Sequence, residues 1–133
     1  GPRTMSITTP GISRKVITVG CSDDDREVLV GGNRMVDYSG RGPTAACICK
    51  PDLVAPGCSV VSCSSRADKY TIKSGTSMST PIVSGAVALL LERFPDMSNK
   101  DVKLRLRESS VDIGLPRNQQ GWGLLDVGKM LER

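Results

Sequence analysis

The run Gly75-Thr76-Ser77-Met78-Ser79-Thr80-Pro81 holds the residues best suited to chemistry in this sequence. Gly75 permits a tight passage from a strand into a helix, which sets Ser77 at or near a helix N-terminus. Unpaired N–H groups and the positive end of the helix dipole gather at such a place. They favour a developing negative charge, which is what an acyl-transfer nucleophile needs beside it. Pro81 fits a first helical turn, where its missing N–H costs no intrahelical bond. A serine here also serves as an ordinary helix cap, and capping alone does not rank Ser77 above Ser79. A hydroxyl nucleophile further needs a base. The chain contains no histidine. That excludes a histidine base, a histidine metal ligand and a complete Ser-His-Asp triad within these residues.

The elements that must position this segment lie on both sides of it. Lys15 to Cys21 is a β-branched run suited to a strand buried on both faces, closed by the acidic turn Ser22-Asp23-Asp24-Asp25. Gly31-Gly32-Asn33 reads as a turn between short strands, and Ser39 to Pro43 as an ordered loop. Asp52 to Val54, Ser59 to Ser62 and Tyr70 to Lys73 are short strands, the last leading directly into Ser74-Gly75. After Pro81, Val83, Val87, Leu90 and Leu91 recur at helical spacing, with Gly85, Ala86 and Ala88 between them. This predicts a helix that is apolar nearly all round and therefore interior. Phe94-Pro95 ends it. Ser98 and Asp101 form a capping box for a second helix, with Val102 and Leu106 on one face and Lys100, Lys103 and Arg107 on another. Trp122, between two glycines, closes an edge of the core before a short last helix.

Composition narrows the classes. The 133 residues suit one modest domain, and 18 Lys+Arg against 14 Asp+Glu give +4, too mild and too mixed for a nucleic-acid partner. The longest apolar run, Ile82 to Leu91, is too short to cross a membrane, and residues 1–5 show no leader pattern. Cys21, Cys47, Cys49, Cys58 and Cys63 read as free thiols, beside the alternatives of one or two disulfides or a thiolate metal cluster. The single-residue spacer of Cys47 and Cys49 is shorter than structural zinc uses. This odd count leans towards a reducing compartment without assigning one. Asp23 to Asp25 either ends a strand or holds a cation, with the turn favoured. No metal site is assigned.

Several segments, in order, resemble the subtilisin-like serine proteases. These are Val16 to Gly20, Tyr38-Ser39-Gly40-Arg41-Gly42-Pro43, Lys50-Pro51-Asp52-Leu53-Val54-Ala55-Pro56-Gly57, the Ser77 segment through Gly85, and Gly121-Trp122-Gly123-Leu124-Leu125-Asp126. The resemblance implies an α/β fold: part of a three-layer domain with a mostly parallel sheet and a buried central helix starting at the nucleophile. It implies that Ser77 is the nucleophile of a serine endopeptidase, with its own N–H in the oxyanion hole. Gly75 and Thr76 would hold the turn, Met78 would line the leaving-group side, and Pro81 would complete the motif. Ile82 stands where the family often has histidine, at a structural position. The family's Asp and His motifs are not present, and Asp23, Asp24 and Asp52 fall in other parts of its pattern. Gly1-Pro2 resembles the end of the motif that carries the oxyanion asparagine. Residues 1–133 are thus expected to be the C-terminal portion of one peptidase domain, inactive alone. The expected partners are a peptide or protein substrate, the N-terminal portion of the same domain, and other copies through association or segment exchange. No cofactor is expected for the chemistry, and a structural calcium stays unplaced. The alternative is a non-catalytic binding or structural module.

Overall fold

The computed structural model describes residues 3–23, 34–35, 39–66 and 69–133. Gly1-Pro2, the acidic pair Asp24-Asp25, the Gly31-Gly32-Asn33 turn and Tyr38 lie outside them. Among the described residues five strands precede four helices: β1 Val19–Asp23, β2 Arg34–Met35, β3 Leu53–Pro56, β4 Val60–Cys63, β5 Tyr70–Lys73, α1 Thr76–Arg93, α2 Asn99–Ser109, α3 Arg117–Gln120 and α4 Val127–Leu131.

The sheets correct the expected architecture. A three-stranded sheet has the order β2-β1-β3, and β4 pairs with β5 in a separate two-stranded sheet. Among the described strands only β1 and β3 run parallel, with Val19 opposite Leu53 and Cys21 opposite Ala55, and an isolated parallel bridge joins Val54 to Leu124. β2 lies antiparallel to β1, and β4 antiparallel to β5. The described residues therefore form a small α/β domain without a mostly parallel, three-layer arrangement. The reason is in the connections. β4 reaches β5 through a short hairpin, which forces antiparallel pairing, and no described helix separates β1 from β2. The longer path from β1 to β3 is the one that allows a parallel return.

β1 also starts later than expected, at Val19, and runs through Ser22 and Asp23 rather than turning there. Residues 16–18 lie outside the strand and are held mainly by side chains, beside one backbone bond from the Asp52 N–H to the Thr18 carbonyl at 2.8 Å. The Val16 carbonyl accepts from Lys50 Nζ at 3.0 Å, and the Thr18 N–H donates to Asp52 Oδ2 at 2.7 Å.

The core lies between this sheet and the helices, and includes Leu53, Ala55, Val83, Ala86, Leu90, Val102, Leu106 and Met130. Helix α1 buries one stripe, Ser79, Val83, Ala86 and Leu90. Its other face, with Ser84, Gly85 and Ala88, is exposed, and Leu89 is 48% exposed. The expected all-round burial is therefore not found. α1 ends at Arg93, with Phe94 as the C-cap. The Ser98–Asp101 capping box is formed in both directions, and Val102 and Leu106 turn inward. Trp122 and Ile82 are partly buried against the core.

Candidate active site

Glycine sets the entry into α1. Gly75 is the N-cap with φ 149° and ψ 162°, a positive-φ conformation that side chains rarely adopt. Its N–H donates to the Gly57 carbonyl at 2.8 Å, and its own carbonyl accepts from Met78 N at 2.9 Å. The turn into the helix is thereby tied to the end of β3. No side chain caps α1. The Thr80 hydroxyl is turned back onto the Thr76 carbonyl at 2.9 Å.

The two serines that capping could not rank are separated by burial. Ser77 is exposed, whereas Ser79 is fully buried and its Oγ has no hydrogen-bond partner. Pro81 is corrected in position. Because α1 begins at Thr76, Pro81 is inside the helix rather than in its first turn. The Ser77 carbonyl therefore lacks the amide it would normally meet one turn on.

Ser77 opens on a cleft of about 570 Å³. Thr76, Ser77 and Thr80 form one side, and residues 6–11, residues 16–19 and Gly40 form the other. None of these lining residues is ionisable. Ser77 thus has a favourable electrostatic position and no base within its cleft. Met78 borders a different groove of about 480 Å³, between the start of α1 and the β4–β5 hairpin.

A feature that sequence reasoning missed supports the cleft wall from behind. Lys50 is 1% exposed, and its ammonium meets Asp52 Oδ2 at 2.6 Å. Lys103 Nζ approaches Asp52 Oδ1 at 3.9 Å and donates to the carbonyls of Arg14 at 2.7 Å and Val16 at 3.3 Å. Asp52 is occupied in this network and does not border the cleft. A lysine and an aspartate two residues apart were visible, but their burial depends on Val16 and Thr18, far away in sequence. The five cysteines are free thiols. Among the described residues no group of three or more His, Cys, Asp or Glu side chains could hold a metal ion. No described helix is long and apolar enough to cross a membrane.

Comparison with known proteins places this geometry. Residues 1–123 match the model of the subtilase family, peptidase S8. The serine protease AprX of Bacillus subtilis is 38% identical over 123 residues, covering 83% of this chain and 28% of that protein. Halolysin of Haloferax mediterranei is 34% identical, covering 92% of this chain and 21% of its own length. The chain therefore spans about a quarter of the length of these relatives. Among solved structures, the CspB protease of Clostridium perfringens superposes with a TM-score of 0.83 at 29% identity, over 96% of this chain and 28% of that one. Fervidolysin from Fervidobacterium pennivorans shares the fold, with a TM-score of 0.76 at 24% identity over 92% of this chain and 20% of its own. The matched model, the ordered motifs and the exposed serine at the head of α1 agree: this chain is a member of the subtilase family.

Proposed function

We propose that residues 1–133 are the C-terminal portion of a single subtilisin-like peptidase domain, and that the whole protein is a serine endopeptidase acting through Ser77. The observation that carries this reading is the exposed Ser77 side chain, standing in an open cleft at a helix N-terminus that no side chain caps. Its Oγ attacks the scissile carbonyl and forms an acyl-enzyme that water later releases. The Ser77 N–H, among the first of α1, donates to the oxyanion. Gly75 and Thr76 hold the turn, Pro81 keeps the motif's place in α1, and the groove that Met78 borders beside the β4–β5 hairpin takes the leaving-group side. The acid and base come from the N-terminal portion of the domain, since the chain has no histidine. The chain alone is therefore inactive, and peptides or proteins are the substrates of the whole. Acyl transfer of this kind needs no cofactor, and a structural calcium has no assigned ligands here. The apolar surface on α1, including Leu89, is where the N-terminal portion or another copy of the chain would associate.

The absence of any ionisable side chain from the cleft favours one second reading, a non-catalytic module that binds a peptide without cutting it. Incubating an unstructured protein substrate with the full-length protein separates the two. Endopeptidase activity predicts internal cleavage that Ser77→Ala abolishes. Binding without cleavage by a folded, fully processed protein contradicts the proposal.

A further inference from the structure

Cys47 and Cys49 lie outside everything the Ser77 cleft uses, and their setting is unusual. They sit on a tight turn in which the Cys47 N–H donates to the Thr44 carbonyl at 2.8 Å and the Thr44 N–H to the Ile48 carbonyl at 2.9 Å. The Ile48 N–H donates to Thr44 Oγ1 at 3.1 Å. Cys47 has φ 56°, the left-handed position that follows such a turn and that glycine occupies at least cost. A side chain kept in a strained place directs attention to what that side chain does. Both ends of the segment are tied, because the Gly42 N–H meets the carbonyls of Lys50 at 2.9 Å and Asn118 at 3.0 Å.

The exposure pattern then leaves both cysteines open to solvent. Cys47 and Cys49 are exposed, while Ile48 between them is half-buried. Cys49 Sγ lies 3.4 Å from the Arg117 carbonyl. Two α-carbons separated by one residue are at most about 7 Å apart, the upper edge of what a disulfide spans. The turn also backs the cleft wall. Thr44, Ala45 and Ala46 border a hollow of about 560 Å³ together with Ile7, Thr8 and Thr9, and those three residues also border the Ser77 cleft.

We propose that Cys47 and Cys49 are a reversible dithiol–disulfide site that exchanges with small-molecule disulfides of the glutathione class. One thiolate attacks a sulfur of the small disulfide, forming a mixed disulfide and releasing one small thiol. The second thiolate attacks the protein sulfur of that mixed disulfide, closing the Cys47–Cys49 bond and releasing the second small thiol. The two cysteines lose two electrons and two protons, and the small disulfide gains both. Closure tightens the turn that supports the wall facing Ser77.

The test uses the full-length protein with Cys58→Ser and Cys63→Ser, so that proteolytic peptide 42–66 carries only these two thiols. It is equilibrated with oxidised and reduced glutathione, native and in guanidinium, then acid-quenched, alkylated and mapped by mass. The site predicts loss of two hydrogens in that peptide, at an oxidised-to-reduced ratio about tenfold lower for the native than for the unfolded chain. Adding Cys47→Gly, which suits the turn, leaves Cys49 stalled as a glutathione adduct. Persistent adducts on both thiols overturn the proposal. So does closure no easier than in the unfolded chain.

Discussion

The Lys50 ammonium and the Asp52 carboxylate meet at 2.6 Å with their side chains 1% and 9% exposed, behind the wall of the Ser77 cleft. Lys50 also donates to Val16 O and Asp52 accepts from Thr18 N, so the pair braces residues 16–18 beside the single backbone bond from Asp52 N to Thr18 O. Breaking a buried pair by removing one partner typically costs about 3–5 kcal/mol.

The two halves of that pair are not equivalent. Asp52→Asn leaves a buried ammonium with the Val16 carbonyl as its remaining strong acceptor. Lys50→Met leaves a carboxylate that still has Thr18 N and the nearby Lys103. Asp52→Asn is therefore expected to lower stability by about 3 kcal/mol or more, and Lys50→Met by less. Urea unfolding of both variants measures the order, and the reverse order would refute this account of the network.

Ser79 carries a buried hydroxyl without a partner, so Ser79→Ala is expected to stabilise the chain by about 1 kcal/mol. Ser77→Ala, on an exposed side chain, leaves stability within about 0.5 kcal/mol. Thermal or urea unfolding of the two variants side by side gives the comparison.

Gly57 is the neighbour that confines Ser79. A Cβ there would collide with Ser79 Oγ and lie 2.6 Å from Cys21 Sγ and 2.8 Å from the Gly75 carbonyl. Gly57→Ala is expected to cost about 2–3 kcal/mol, as overpacking does. Combining it with Ser79→Ala removes one collision and should recover part of the loss, a coupling of about 1 kcal/mol in a double-mutant cycle. Strict additivity would show that the two sites do not touch.

Acid should loosen the start of α2. The Ser98 side-chain and backbone hydrogen bonds hold the Asp101 carboxyl below its ordinary value of 3.8. The Gly114 N–H and the Gln120 side chain do the same for Asp112. A folded-state pKa below the unfolded one contributes stability that is fully present above pH 3.8 and lost as pH falls through the lowered value. Carbon-detected NMR titration should show both carboxyls titrating low, with Asp101 alone moving up in Ser98→Ala. An unchanged Asp101 would contradict the capping box.

What was legible in the sequence was mostly local. The Ser98–Asp101 box, the end of α1 at Phe94-Pro95 and strand β5 each depend on a few neighbouring residues, and the structure has them where expected. The direction of the strands was not legible, because it depends on which connections are hairpins, and the resemblance pointed to a mostly parallel sheet. The burial of Lys50 was not legible either. A lysine is ordinarily exposed, and this one is interior because acceptors distant in sequence surround it. At the site, the motif and the helix start could be read and the resemblance named Ser77, whereas local capping did not show that Ser79, beside Gly57, is the buried hydroxyl.

The most direct test of the central claim is covalent labelling of Ser77 by a fluorophosphonate, read by intact mass. Three samples are compared: the full-length protein, its Ser77→Ala variant and the 133-residue chain alone. One adduct on the full-length protein, absent from the variant and from the isolated chain, is the predicted result. A folded, fully processed full-length protein that takes up no label, or one that is labelled equally well after Ser77→Ala, would contradict the assignment.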